Sequence, residues 1–84
     1  MIEKRYKVPN GKLVVVKKVG DHIKIGGDFF LHPEESLEDI ENVINTSAPT
    51  DLKEKLDRLI EEKKITLVGF TAEVLCNLVK EVRK

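Results

Sequence analysis

Two turn signals, Pro9-Asn10-Gly11 and Gly20-Asp21, bracket a valine-rich run from Lys12 to Val19, and that punctuation admits little besides antiparallel strands. Pro9 stops the run Arg5-Tyr6-Lys7-Val8. Asn-Gly takes the positive φ of a tight hairpin, and branched valines suit a pleated surface. Beyond Gly20-Asp21, His22-Ile23-Lys24-Ile25 alternates polar with apolar, the period of a half-buried strand. Gly26-Gly27 interrupts it as a bulge or a close backbone approach would, and Phe29-Phe30-Leu31 resumes it. The front third therefore predicts a three-stranded antiparallel meander.

From Pro33 onward the apolar period lengthens to that of helices. Pro33 suits a first helical turn, where its missing N–H costs nothing, and Glu34, Glu35, Glu38 and Asp39 complement the helix dipole. Leu37, Ile40 and Ile44 make one inward stripe. The stretch Asn45-Thr46-Ser47-Ala48-Pro49-Thr50 breaks it. Asp51 and Glu54 have capping-box spacing, ahead of a second stripe of Leu52, Leu56, Leu59 and Ile60. Ile65-Thr66-Leu67-Val68 reads as a short connector, either loop or extended, ending at Gly69. Thr71 caps a last helix with Val74, Leu75, Leu78, Val79 and Val82 inward. The expected fold is α+β: a single domain over 1–84, with a three-stranded antiparallel meander followed by two or three helices packed on one face.

Composition limits what such a domain can do. A chain of 84 residues has a thin core with little room for a water-excluding catalytic pocket, which favours a binding module or a subunit. Its longest apolar run, Leu13-Val14-Val15-Val16, is far short of the roughly 20 residues of a membrane span. Met1-Ile2-Glu3-Lys4-Arg5 opens no signal peptide, and a lone cysteine, Cys76, suits a reducing compartment, so a cytoplasmic location is expected. Asn45-Thr46-Ser47 is then a chance sequon. Abundant charge without glutamine leans toward a thermophile. The formal net charge of zero conceals +4 over residues 1–33, −7 over 34–62 and +3 over 63–84.

Side chains with chemical potential are few. Cys76 has Ala72, Val79 and Lys80 within helical reach and reads as a buried structural thiol. His22 and His32 lack a second ligand at zinc-like spacing. Asp28, His32 and Glu34 have the makings of an orienting carboxylate, a base and an acid. The junction before Pro33 better suits His32 as a backbone cap. Lys4, Arg5, Lys7, Lys12, Lys17, Lys18 and Lys24 offer a ribbon for phosphates, but ten acidic residues follow and a solvated sheet face fits better. The most informative stretch is Ile23 to Glu35. With Ile23, Ile25, Phe29 and Leu31 inward, Phe30 points the opposite way, toward either a second covering layer or a partner.

Val8-Pro9-Asn10-Gly11-Lys12-Leu13, followed by Ile25-Gly26-Gly27-Asp28-Phe29-Phe30-Leu31-His32-Pro33-Glu34, resembles the accessory domain of lipoate–protein ligases. In many bacteria that domain is the C-terminal part of one polypeptide; in archaea it resembles a separate small subunit, the form this chain's length suits. The likeness runs from the V-P-x-G-K-L turn to the final helix. Asn10 replaces the usual small residue after Pro9, a change that a tight turn tolerates.

The resemblance implies a non-catalytic small subunit, silent as an isolated chain. Such ligases activate lipoate with ATP to lipoyl-AMP, then pass the lipoyl group to a lysine of a lipoyl domain. The catalytic large subunit carries the lipoate and nucleotide pocket, so ATP, with Mg, and lipoate would sit there and no cofactor or metal on this chain. Gly26-Gly27 ends a strand and no G-K-[ST] follows, unlike a phosphate loop. The implied partners are the large subunit and, indirectly, the lipoyl domain acceptor, with neither nucleic acid nor membrane. Lys12, Gly27, Asp28, Phe29, Phe30 and His32 are the candidate docking and loop-ordering residues. Phe30 would be the apolar anchor with Lys12 and Asp28 at its rim. Lys12 would alternatively reach nucleotide phosphates or departing pyrophosphate. The competing class is a stand-alone binding module: a sulfur-relay or iron–sulfur scaffold, which would need a reactive Cys76, or a weak nucleic-acid binder.

Overall fold

The computed structural model describes residues 2–9 and 11–83. Asn10, and with it the conformation expected of the Asn-Gly turn, lies outside the described residues. Strands β1 (Ile2–Lys7), β2 (Leu13–Val19) and β3 (His22–Gly27) form the expected antiparallel meander, in the order β1-β2-β3. After it come β4 (Phe30–His32), α1 (Ser36–Thr46), α2 (Leu52–Lys63), β5 (Thr66–Val68) and α3 (Ala72–Arg83). The helices number three among the described residues, so the α+β expectation holds.

The pleat decides which residues build the core. Val14 and Val16 of β2 and Ile23 and Ile25 of β3 are buried on one face, while Lys17 and Lys24 stay exposed on the other. α3 packs beneath β1 and β2, α1 beneath β3, and α2 against both helices. Ile40 and Ile44, Leu52 and Leu56, and Leu75, Val79 and Val82 complete the core from the three expected stripes. No helix among the described residues is long and apolar enough to cross a membrane.

The structure corrects several local expectations. Phe29-Phe30-Leu31 does not resume β3. Gly27 turns the chain away at φ 138°, and Phe30–His32 forms a second, two-stranded sheet with β5. The Ile65–Val68 connector is thus largely a strand. Pro33 lies outside α1, after a cis His32–Pro33 peptide bond, in a turn where Ser36 N–H donates to the Pro33 carbonyl at 3.0 Å. Glu35 is the N-cap. The capping box at Asp51 and Glu54 does not form. Asp51 has near-helical backbone angles (φ −102°, ψ −9°), away from the extended conformation that brings an N-cap side chain onto the first amides. Thr71 does cap α3, accepting from Val74 N–H at 3.2 Å. Asn45 is inside α1 rather than in a break.

Asn45 also does something its place in the sequence did not announce. Its Oδ1 accepts from Ile23 N–H at 2.8 Å, and its Nδ2 donates to the Ile23 carbonyl at 2.9 Å. One turn earlier, Glu41 Oε2 accepts from Ile25 N–H at 2.9 Å. The open edge of β3 is thereby closed by two side chains of α1. Arg83 closes the far end of that helix, its guanidinium donating to the Ile44 carbonyl at 2.6 Å.

Candidate functional site

Three segments meet at one corner of the molecule: the β1–β2 turn, the Gly26–Phe30 stretch and the chain leaving β5. Gly27 is obligatory there, because its φ of 138° disfavours any side chain and a Cβ would run into the Leu13 carbonyl. Asp28 then clips the same residue from both sides. Its N–H donates to the Leu13 carbonyl at 3.2 Å and its Oδ1 accepts from Leu13 N–H at 2.6 Å. Lys12 N–H donates to the Gly69 carbonyl at 3.1 Å, with the lysine stem lying over Gly69, whose φ is 97°. The Phe29 ring turns inward onto Phe70, centroids 4.4 Å apart at 48°.

This clamp presents the β4–β5 ribbon. Phe30 pairs with Val68, Leu31 with Leu67 and His32 with Thr66. The period-two alternation turns Leu31 and Leu67 to the core and leaves Phe30, His32, Thr66 and Val68 facing outward. Phe30 is 65% exposed and Val68 48%. Cross-strand neighbours of this kind form one apolar patch. Beside it runs a shallow groove of about 260 Å³ lined by Gly26, Gly27, Phe29, Leu31, Glu34 and Leu37 together with Phe30.

All six candidate residues therefore fall in or beside this corner, in two roles. Gly27, Asp28 and Phe29 are consumed in holding it. Phe30, His32 and Lys12 remain on the surface, and the Lys12 ammonium has no ion-pair partner among the described residues. Thr66, Val68 and Gly69, which the sequence places only in a connector, and Phe70 belong to the corner but not to the expected site. The signal was the alternation Thr66-Leu67-Val68, which a three-residue strand displays too briefly to be read.

Other chemistry is weakly supported. The Asp28 carboxylate is turned to Leu13 rather than His32, so an Asp–His–Glu relay is not assembled. Cys76 is only 4% exposed, and burial pushes its thiol pKa up against the opposing pull of Lys53 and Lys80. Among the described residues no cluster of three or more His, Cys, Asp or Glu side chains is placed to hold a metal ion.

No protein-family model matches the chain, and no curated protein matches it. A solved structure does match: one chain from a structural analysis of an archaeal lipoylation system, comprising a bi-partite lipoate protein ligase and its E2 lipoyl domain, from Thermoplasma acidophilum. The identity is 23% and the TM-score 0.72, with 94% of this chain and 93% of that chain covered. At this identity the likeness establishes a shared fold over nearly the full length of both.

Proposed function

We propose that this chain works in protein lipoylation as the small, non-catalytic subunit of a two-part lipoate–protein ligase. It docks on the catalytic subunit and is required for ATP-dependent activation of lipoate to lipoyl-AMP, before lipoyl transfer to a lysine of a lipoyl domain. The observation that carries this reading is the near full-length match of the fold to a chain from a bi-partite ligase system. The exposed Phe30–Val68 patch, at the corner built from the two sequence motifs, supplies a surface suited to docking.

The chain's contribution is positional. A rigid patch seated on a partner orders the partner's loops, and bringing carboxylate and α-phosphorus into attack geometry lowers a barrier by several kcal/mol, about tenfold in rate per 1.4 kcal/mol. ATP, Mg and lipoate belong to the catalytic subunit in this scheme. Lys12 lies at the rim, either against the partner or within reach of the nucleotide phosphates.

The test is reconstitution with the catalytic subunit of a two-part ligase, reading lipoyl-AMP formation with and without this chain. Activation only in the mixture is expected. Equal activation without the chain, or turnover by the chain alone, overturns the proposal.

A further inference from the structure

The two edges of the three-stranded sheet are treated differently. Asn45 and Glu41 close β3 from within the chain. β1 has no such cover among the described residues, and Lys4, Arg5, Tyr6 and Lys7 are all exposed. The phase of the ladder shows which backbone groups are left over. Val8 N–H donates to the Lys12 carbonyl at 3.1 Å, and bonded pairs recur at every second residue of an antiparallel ladder. Tyr6, Lys4 and Ile2 therefore bond to β2, and the N–H and C=O groups of Glu3, Arg5 and Lys7 point outward.

A groove lies along the same edge. Tyr6, Val74, Asn77, Leu78 and Glu81 line a depression of about 260 Å³ between β1 and α3. An unpaired strand edge beside an apolar groove is the combination that strand-adding peptides use: main-chain bonds supply affinity, and alternate side chains in the groove supply selectivity. Charge narrows the choice of occupant. β1 carries Lys4, Arg5 and Lys7 against Glu3, which is already held by Arg5 at 2.7 Å and Lys17 at 3.8 Å. Pairing β1 antiparallel with β1 of a second copy about Arg5 would set the two guanidiniums against each other and offer Lys4 no acid, whereas an acidic strand meets Lys4, Arg5 and Lys7 favourably.

We infer that the β1 edge receives an extended acidic segment of a partner protein, added as a fourth strand with one apolar side chain in the Tyr6–Val74–Leu78 groove. This surface is distinct from the Phe30–Val68 ribbon, and the inference does not depend on the ligase reading.

A capped peptide, Glu-Leu-Glu-Val-Glu-Thr, titrated into the isotope-labelled full chain and followed by NMR, tests it. Expected are shifts confined to β1 and the facing side of α3, weakening as salt rises. Amide exchange at Glu3, Arg5 and Lys7 should slow by about tenfold or more at saturation. Arg5→Pro removes one outward N–H while sparing the β2 ladder and should abolish binding; Arg5→Ala should only weaken it. The same peptide N-methylated at alternate residues should not bind the unaltered chain, which keeps the test independent of how Arg5→Pro folds. Shifts elsewhere, none at millimolar peptide, binding indifferent to N-methylation, or self-association through β1 in sedimentation would each overturn the inference.

Discussion

Phe30→Ala should leave the isolated chain almost as stable as before while loosening its grip on the catalytic subunit. Fully burying a phenylalanine side chain is worth about 1.5–3 kcal/mol. Phe30 keeps 65% of its surface exposed in this structure. The portion left for a partner to cover is thus about 1–2 kcal/mol. At roughly 1.4 kcal/mol per decade, that is about a 5–30-fold rise in Kd.

Phe29→Ala provides the opposite case in the adjacent residue. Its ring stacks on Phe70, so truncation should cost about 2–3 kcal/mol of folding stability. Urea unfolding of each variant alone, beside calorimetric titration onto the catalytic subunit, separates the two behaviours. The reasoning fails if Phe30→Ala lowers folding stability by more than about 2 kcal/mol, as a core residue would. It fails equally if Kd is unchanged.

The glycine pair gives a matched comparison by urea unfolding. Gly27→Ala, at φ 138° and against the Leu13 carbonyl, should destabilise by about 2–3 kcal/mol. Gly26→Ala, with open space around its Cβ, should stay within about 0.5 kcal/mol. Asn45→Ala strips Ile23 of both edge partners and should cost about 1–3 kcal/mol, with a measurable gain in self-association at the opened β3 edge. Cys76 gives a pH signature. Burial raises its folded pKa above the ordinary 9.0, so the unfolded chain loses that proton first. Stability from the neutral thiol is intact below pH 9.0 and declines above it, and Cys76→Ala should show a shallower alkaline decline in thermal melts. Lys12→Glu separates the two roles at the rim. Weakened complex formation marks a partner contact, whereas slower lipoate activation in a saturated complex marks a contact with phosphate.

What the sequence made legible followed periodicity. The meander and three helical stripes were readable because each repeats over enough residues to fix a face, and Thr71 was readable because it opens a long amphipathic run. The ribbon was not. β4 and β5 are three residues each and far apart in the chain, so their pairing has no local signature. The failed capping box at Asp51 shows the complementary limit: residue types were right, but the backbone entered the helix already in a helical conformation. Phe30 was singled out because the alternation through Ile23 and Ile25 left it on the wrong face. That conclusion survived although its premise did not, since β3 ends at Gly27. Asn45 was hidden because an amide in a polar stretch resembles a break until the strand edge beside it is known.

The exposure of Phe30 is not slack. On one side Asp28 is bonded twice to Leu13 and Phe29 rests on Phe70; on the other Leu31 is paired with Leu67. A side chain held between fixed neighbours has already lost much of the backbone freedom that docking would otherwise remove. Apolar area presented in that way converts to affinity with a smaller ordering cost than the same area on a mobile loop. The clamp formed by Gly27, Asp28 and Phe29 is therefore what would make Phe30 a useful anchor in the proposed docking. A change that loosens the clamp, Gly27→Ala above all, should weaken docking through the lost order of Phe30.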